Sequence, residues 1–112
     1  MYDYKTGQEL ALVRRARRGD VKAFSELYAR IYQELYRFAV FTMKHSQDAE
    51  DVVSEAVIAA YENIHKLKKE ESFRSWIFTI LANKCRKKLK AACRTEELSE
   101  VLAAAEQDHA QD

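Results

Sequence analysis

The sequence predicts an all-α fold, a compact bundle of about four helices in a single domain. The chain has 112 residues, no proline, and glycine only at Gly7 and Gly19. It therefore lacks the residues that tight turns between strands require. Four segments carry apolar residues at steps of three and four, which is typical of amphipathic helices. Because the connections are short and the length suits one core, we expect these helices to pack as a bundle.

The first two helices are delimited by helix-ending and helix-capping residues. The first is predicted over residues 8–18 and ends at Gly19, the residue type that favours a C-terminal stop. Asp20 then caps the second helix, predicted over residues 21–44. The expected inward residues are Leu10, Ala11, Val13 and Ala16 in the first helix, and Phe24, Leu27, Tyr28, Ile31, Leu35, Phe38 and Met43 in the second.

The last two helices follow the short segment HSQD, in which Ser46 or Asp48 caps a helix predicted over residues 49–67. After the polar loop KKEE, Ser72 caps a fourth helix that continues to about residue 94. This gives a domain over residues 8–94 and an acidic tail over 95–112, with room for a turn or two of helix and a mobile end. The expected inner stripes are Val53, Val57, Ala60, Ile64 and Leu67, and then Phe73, Ile77, Ile80 and Leu81.

Composition argues for a cytoplasmic protein. No apolar run approaches the ~20 residues that a membrane span needs, and the start, MYDYKTGQE, has no secretory pattern. Cys85 and Cys93 fall in one helix about 12 Å apart, too far for a disulfide, and no third ligand suggests zinc. We therefore expect both cysteines to be reduced.

The sequence does not predict a catalytic site. Asp48, Asp51 and Glu55 share a helical face but have no paired bases and no glycine-rich loop. The three histidines lie in separate segments, and no nucleophile and base fall at a suggestive spacing. We expect a protein that is not an enzyme and that uses no metal or cofactor.

Charge is distributed unevenly along the chain. Residues 46–64 contain five acidic residues and no lysine or arginine, whereas residues 65–94 contain ten lysines and arginines against two glutamates. Adjacent acidic and basic blocks predict a polarised surface.

The fourth helix divides into two faces at about 100° per residue. The apolar stripe stops near Leu81, with Lys84 and Lys88 continuing it, so the last turns are expected to lie at the rim of the bundle or beyond it. Arg and Asn suit base edges, Lys suits phosphate, and Trp offers a stacking surface. The distribution of residues around the helix fits two interpretations equally well: a nucleic-acid-binding surface, or a half-buried Trp above a solvated basic tail. Three lysines just before the helix, Lys66, Lys68 and Lys69, favour nucleic acid. The opposite face carries Ser72, Trp76, Thr79, Asn83, Arg86 and Lys90.

Two segments resemble a known family. GDVKAFSELYARIYQELYRFA and DAEDVVSEAVIAAYENIHKLKKEESFRSWIFTILANKCRKKLK are similar to the promoter-binding helical domain, region 2, of bacterial RNA polymerase sigma factors. The group most similar is the extracytoplasmic-function type, with its DAEDLVQE and FRxWLxxIAxN patterns. The resemblance covers about residues 8–94, and three degenerate motifs in order make it specific.

The resemblance implies roles for individual residues. It implies a protein that docks on the coiled coil of the polymerase β′ clamp and binds the −10 promoter element, partly single-stranded. An anti-sigma factor is a further possible partner. The implied clamp-binding residues are Asp48, Asp51, Ser54, Glu55 and Tyr61. The implied DNA-binding residues are Lys66, Lys68, Lys69, Ser72, Phe73, Arg74, Trp76, Asn83, Arg86, Lys87 and Lys90.

Two departures from the family pattern affect this hypothesis. Ser54 stands where the family usually has Gln, and the sequence has no second helical domain for the −35 element. We favour an excised domain over a single-domain regulator. Two other functions compete with the hypothesis: a protein-interaction domain that binds polymerase or an anti-sigma factor without reading DNA, and a general nucleic-acid-binding bundle. The acidic third helix argues against the last.

Overall fold

The chain forms four α-helices and two single-turn 3₁₀ helices, as a computed structural model shows for residues 4–110, with side chains described for residues 7–105. The predicted all-α bundle is confirmed. In chain order the elements are α1 (Tyr4–Arg17), α2 (Val21–Met43), α3 (Ser46–Asn63), a first 3₁₀ turn (Ile64–Lys66), a second 3₁₀ turn (Glu70–Ser72) and α4 (Phe73–Ala110).

The turn between α1 and α2 forms as its residue types predict. Gly19 has a φ of 99°, a left-handed conformation that glycine adopts without strain. Its N–H donates to the Ala16 carbonyl at 3.0 Å. The Asp20 side chain accepts the Ala23 N–H at 3.1 Å, so Asp20 is the N-cap of α2. Arg15 donates to the same carboxylate at 2.8 Å, which ties the end of α1 to the start of α2.

The core lies between the four helices, and α2 packs against each of the others. Most of the predicted inward residues are buried, with local corrections. In α1 the buried residues include Leu12, whereas Ala11 is exposed and Leu10 half-buried. In α2 the prediction for Phe38 was wrong: it is 37% exposed and its ring contacts the Phe78 ring edge-on at 5.9 Å. The buried core comprises Leu12, Val13, Ala16, Ala23, Phe24, Leu27, Ile31, Leu35, Ala39, Met43, Ala49, Val52, Val53, Ala56, Ala60, Ile64, Leu67, Phe73, Ile77, Leu81 and Cys85.

Three predicted helix ends differ from the structure. The N-cap of α3 is His45, so neither Ser46 nor Asp48 caps it. α3 ends at Asn63, and Ile64 and Leu67 complete the inner stripe from the first 3₁₀ turn and the residue after it. The start of α4 agrees with the prediction, since the helix begins at Phe73, directly after Ser72, although Ser72 itself belongs to the second 3₁₀ turn. α1 begins at Tyr4, four residues before the predicted start.

The largest correction concerns α4, which continues to Ala110 and does not end near residue 94. The tail is rich in alanine, leucine and glutamate, which favour helix, and no glycine or proline interrupts it. A helix of 38 residues is about 57 Å long. The predicted mobile end falls partly on residues 111–112, which lie outside the described residues.

The buried stripe of α4 extends one turn further than predicted, to Cys85, which is 1% exposed. From residue 86 to residue 105 no side chain is buried. Both cysteines are free thiols, as expected; Cys85 is buried, Cys93 is exposed, and burial raises the pKa of the Cys85 thiol. The bundle therefore ends at Cys85, and the rest of α4 projects from it.

Two ion-pair networks fasten α1 to the start of α4. Arg74 forms a bidentate pair with Glu9, with Nη2 to Oε1 at 2.8 Å and Nε to Oε2 at 2.9 Å, and also contacts Glu34 of α2. Glu70 accepts from Arg14 at 3.0 Å and from Arg17 at 3.2 Å. These pairs fix the entry of α4 into the bundle.

Truncation of α4 side chains should reveal where the core ends. Leu81→Ala should lower the free energy of unfolding by about 2–5 kcal/mol, because Leu81 is fully buried and its loss leaves a cavity. The matched control Leu102→Ala, at a side chain that is 56% exposed, should change it by at most about 0.5 kcal/mol. Urea unfolding followed by circular dichroism measures both. Similar losses in the two variants would contradict the placement of the core boundary.

The Asp20 cap should make stability depend on pH. The hydrogen bond from the Ala23 N–H, followed by that from Arg15, lowers the pKa of Asp20 below its ordinary 3.8. A lowered folded-state pKa stabilises the fold above pH 3.8, and this contribution is lost as the pH falls through the folded value. Asp20→Asn keeps the capping oxygen without the charge, so the stability difference from wild type should shrink between about pH 5 and about pH 2.

Asp20→Ala removes both the cap and the charge and should be less stable than Asp20→Asn at each pH. Urea midpoints measured across this pH range test both statements. A stability difference between wild type and Asp20→Asn that widens on acidification would contradict the proposed role of the carboxylate.

Candidate nucleic-acid interface

A groove of about 400 Å³ lies between the C-terminal half of α3 and the first half of α4, and the first 3₁₀ turn also contributes to its lining. It combines one aromatic ring, two amides, three lysines and two aliphatic side chains. Its lining residues are Ala59 and Asn63 from α3, Lys66 from the 3₁₀ turn, and Trp76, Ile80, Asn83, Lys84 and Lys87 from α4.

The α4 side of the groove is a direct consequence of helical spacing. Trp76, Ile80, Asn83 and Lys87 recur at steps of four, three and four, and so they form one stripe. This stripe flanks the buried stripe of Phe73, Ile77 and Leu81. Burial of the second stripe therefore turns the first toward the cleft beside α3.

Trp76 is half-buried at the floor of the groove. Its ring lies 6.2 Å from that of Phe73, with an interplanar angle of 41°, and it packs on the edge of the core. Phe73 itself is only 2% exposed. Core packing fixes the indole while part of its surface still lines the groove.

The two amides have defined hydrogen-bonding states. The side-chain NH₂ group of Asn63 donates a hydrogen bond to the backbone carbonyl of Ala59, one turn earlier in α3, at 2.8 Å. Arg86 donates to the Asn83 carbonyl oxygen at 3.1 Å. The side-chain oxygen of Asn83 accepts this hydrogen bond, and its NH₂ group, which has two donors, makes no hydrogen bond to another described residue. The Thr79 hydroxyl donates to the Ser75 carbonyl at 2.8 Å.

Electrostatics favour an anion in the groove. Lys66, Lys84 and Lys87 contribute positive charge, and none of the groove's lining residues is acidic. Arg86 and Lys90 are exposed further round α4, beyond the groove. An aromatic surface, amide donors and uncompensated lysines within one cleft are the groups that bind the bases and backbone of a nucleic acid.

The structure does not bring every predicted DNA-binding residue to this groove. Arg74 lies on the side of α1 and α2, where Glu9 and Glu34 hold its guanidinium group, raising its pKa mainly through the hydrogen bonds with Glu9. Phe73 belongs to the core. Lys68 and Lys69 are exposed in the segment between the 3₁₀ turns, and Ser72 is half-buried in the second turn.

Four groove residues were missed by sequence reasoning. Ile80 counted as core, although it is only half-buried, and Lys84 counted as an extension of the apolar stripe. Ala59 and Asn63 lie four residues apart on α3, a spacing that places them on one face but does not reveal which helix that face meets. Only the packing of α3 on α4 shows that these residues share a cleft.

The predicted clamp-binding residues lie along α3. Asp51, Ser54 and Glu55 are exposed and Asp48 is half-buried. Tyr61 is 47% exposed, and its ring meets that of Phe24 edge-on at 5.2 Å. Ile58, which sequence reasoning missed, is 58% exposed at helical spacing from Asp51 and Glu55. An exposed apolar side chain with carboxylates around it is compatible with the apolar centre and polar rim of a protein interface.

The acidic face and the basic stretch of α4 are linked by one contact. Lys88 Nζ lies 3.5 Å from Asp51 Oδ2, and both side chains are partly exposed. Such a pair contributes little to stability. It does leave Asp51 open to exchange one partner for another.

Other kinds of site are not found in the described chain. Within residues 7–105, whose side chains are described, no group of three or more histidine, cysteine, aspartate or glutamate side chains is placed to hold a metal ion. None of the described helices is both long enough and apolar enough to cross a membrane.

The fold and groove define an all-helical domain with a basic, aromatic-containing cleft beside an acidic helix. The model of the sigma-70 region 2 family matches residues 27–95. The chain belongs to this family, which confirms the resemblance seen in the sequence.

Named relatives agree with the family. The chain is 36% identical over 92 residues to the ECF RNA polymerase sigma-E factor of Escherichia coli K12, covering 82% of this chain and 48% of that protein. It is 32% identical over 96 residues to the RNA polymerase sigma-H factor of Pseudomonas aeruginosa, covering 86% and 50%. It is 31% identical over 74 residues to the ECF RNA polymerase sigma factor SigM of Mycobacterium tuberculosis H37Rv, covering 66% and 38%. The chain thus spans half or less of the length of these relatives.

Proposed function

We propose that the chain is a transcription-initiation module that docks on the β′ clamp of core RNA polymerase and binds the −10 promoter element. Membership of the sigma-70 region 2 family supports the general role. The observation that carries the proposal is the groove, because it places Trp76, Asn83 and three lysines in one cleft without an acidic residue.

The groove suits an unpaired base. Extraction of a base from a duplex costs a few kcal/mol, which stacking and hydrogen bonds in a pocket offset. Trp76 provides an immobilised aromatic surface, and stacking on such a surface is worth about 1–3 kcal/mol per base. The free NH₂ donors of Asn83 can meet acceptors on a base edge. This combination favours single-stranded over double-stranded DNA.

The lysines supply the phosphate contacts. Lys66 lies at the end of the groove and Lys84 and Lys87 on its α4 wall, so the DNA backbone can run along the cleft. Arg86 and Lys90, exposed beside it, extend the positive surface toward the duplex upstream. Each neutralised phosphate releases counterions, and binding is therefore expected to weaken as salt rises.

The exposed face of α3 is the proposed polymerase-docking face. It carries Asp51 and Glu55 around Ile58, with Tyr61 one turn further along. Buried apolar and aromatic side chains supply most of the energy of a typical protein interface, and the surrounding charges add specificity. Ser54, which replaces the family's usual Gln, lies among these residues and shortens the polar reach of the face.

The alternative is a protein-interaction domain that binds polymerase or an anti-sigma factor without reading DNA. The exposed Ile58 and Tyr61 favour protein binding in either case. The groove separates the two functions, because a domain that binds only protein has no need of Trp76 and Asn83 in a basic cleft. Variants of the groove and of the α3 face therefore test them independently.

Groove variants should lose DNA but keep polymerase. Asn83→Ala/Arg86→Ala should weaken binding of a single-stranded −10-like oligonucleotide about tenfold or more, because a base-edge donor and a cation are removed together. Trp76 is the single tryptophan of the chain and lines the groove, so its fluorescence reports binding directly. The matched control is Arg37→Ala, which removes an exposed arginine of α2. An equal loss of DNA and polymerase binding, or of neither, would contradict this division of roles.

Variants of the α3 face should behave in the opposite way. Asp51→Ala/Glu55→Ala should reduce capture of core RNA polymerase in a low-salt pull-down by roughly tenfold, while DNA binding changes little. Glu26→Ala, at an exposed glutamate of α2, is the matched control. Wild-type protein that captures no polymerase, or a variant that captures as much as wild type, would count against the docking face.

A further inference from the structure

A second basic cavity, of about 280 Å³, lies beside the first 3₁₀ turn and is separate from the groove. Its walls are the end of α1, the first 3₁₀ turn and the second 3₁₀ turn. The residues that line it are Arg14, Arg17, Arg18, His65 and Glu70. We call these five residues the arginine pocket.

The arginines converge because of helical spacing. Arg14 and Arg17 stand three residues apart on α1 and so share a face, and Arg18 follows in the turn directly after the helix. Burial of Leu12, Val13 and Ala16 turns the α1 backbone so that this face meets the two 3₁₀ turns. The convergence is thus imposed by the core.

The pocket carries more positive charge than its own carboxylate balances. Glu70 is bonded to Arg14 by two contacts, at 3.0 and 3.2 Å, and to Arg17 by one at 3.2 Å. The Arg14 hydrogen bond lowers the pKa of Glu70 below its ordinary value. Three guanidinium groups against one carboxylate leave two positive charges, and Arg18 pairs with no carboxylate among the described residues.

One side-chain donor of a pocket residue lacks a hydrogen-bond acceptor. Arg17 Nε is buried and has no hydrogen-bond partner in the described part of the chain. An unpaired buried donor costs free energy, and in native proteins such groups usually have an explanation. The carboxyl end of α1 disfavours an anion through its dipole. Binding here would depend on the guanidinium groups, which match phosphate geometry in a bidentate manner.

The arginine pocket adjoins the groove. His65 lines the pocket and Lys66, the next residue, lines the groove. Their Cα atoms are about 3.8 Å apart, as for any consecutive pair. The first 3₁₀ turn thus contributes a lining residue to each of the two cavities.

We propose that the arginine pocket binds a backbone phosphate of the single strand whose bases occupy the groove. The proposal rests on the DNA-binding function proposed above and adds to it a phosphate site on α1. The phosphate oxygens would pair with Arg18, while Glu70 holds Arg14 and Arg17 in place. Glu70 also competes with the phosphate for these arginines.

Oligonucleotides of different length test the proposal. A single strand of about five nucleotides spans the groove alone, whereas strands of about ten, extended at the 5′ or the 3′ end, reach beyond it. Binding of each to the 112-residue chain is measured by Trp76 fluorescence as a function of salt. Arg18→Ala should weaken one of the two longer strands about three- to fivefold and leave the short strand unchanged. The salt slope for that strand should fall by about 0.7, the value for one phosphate of a single strand.

Two further variants sharpen the test. Arg37→Ala removes an exposed arginine outside both cavities, and should affect all strands equally and slightly. Glu70→Gln removes the competing charge and should strengthen binding of the same longer strand while leaving the short one unchanged. Circular dichroism confirms that each variant is folded.

The outcomes separate this proposal from the function on which it rests. Failure of wild type to bind the short strand would overturn both. Normal binding of the short strand, with no effect of Arg18→Ala on either longer strand, would overturn only the phosphate site. Inorganic phosphate, titrated alone, distinguishes the source of the anion. If added phosphate shifts NMR signals in wild type but not in Arg18→Ala, while binding of no strand depends on Arg18, the pocket binds free phosphate and the proposal is wrong.

Discussion

The arrangement of the whole surface depends on the burial of one stripe of α4. Phe73, Ile77, Leu81 and Cys85 are each at most 2% exposed and pack into the core that α2 and α3 share with α4. Since this burial fixes the rotation of α4 about its axis, it also fixes where every other α4 side chain lies. The neighbouring stripe falls beside α3 and becomes the wall of a groove. A helix rotated by one residue, about 100°, would turn this wall out of the cleft.

The end of that stripe at Cys85 explains the distribution of charge along α4. A lysine or arginine is rarely buried without a partner, and the cations of α4 gather where the core is ending and beyond it. Lys84 and Lys88 are half-buried at the last core turn, whereas Arg86, Lys87 and Lys90 are exposed. The helix continues past them as an acidic, alanine-rich segment with no buried side chain up to residue 105. Helix propensity, not packing, accounts for its helical state.

The sequence predicted those features that depend on local residue types. Gly19 and Asp20 determine a stop and a cap through their own backbone chemistry, and the apolar periodicity identifies all four helices. Features that depend on which helices pack together could not be predicted as well from the sequence. Ile80 reads as core on a helical wheel, but its place in the groove follows from the position of α3. Arg74 reads as a cation beside DNA, because no local pattern shows that Glu9, sixty-five residues away, will pair with it. The continuation of α4 was underestimated because the acidic composition of the tail was given more weight than its alanine and leucine content, which favours helix.

The lysines and arginines of this domain differ in whether a carboxylate side chain pairs with them, and this separates those that stabilise the fold from those that can bind a ligand. Arg74 pairs with two glutamates and fastens α4 to α1 and α2, so its charge is neutralised within the fold. The lysines of the groove face no acidic lining residue, and their charge is available to a ligand. The arginine pocket is intermediate, with one carboxylate among three arginines. Because ion pairs between partly exposed groups exchange partners at little cost, Glu70 can hold the arginines in place and still yield one of them to a phosphate. The same principle applies at Lys88 and Asp51, where a single weak contact joins the basic stretch of α4 to the acidic face of α3.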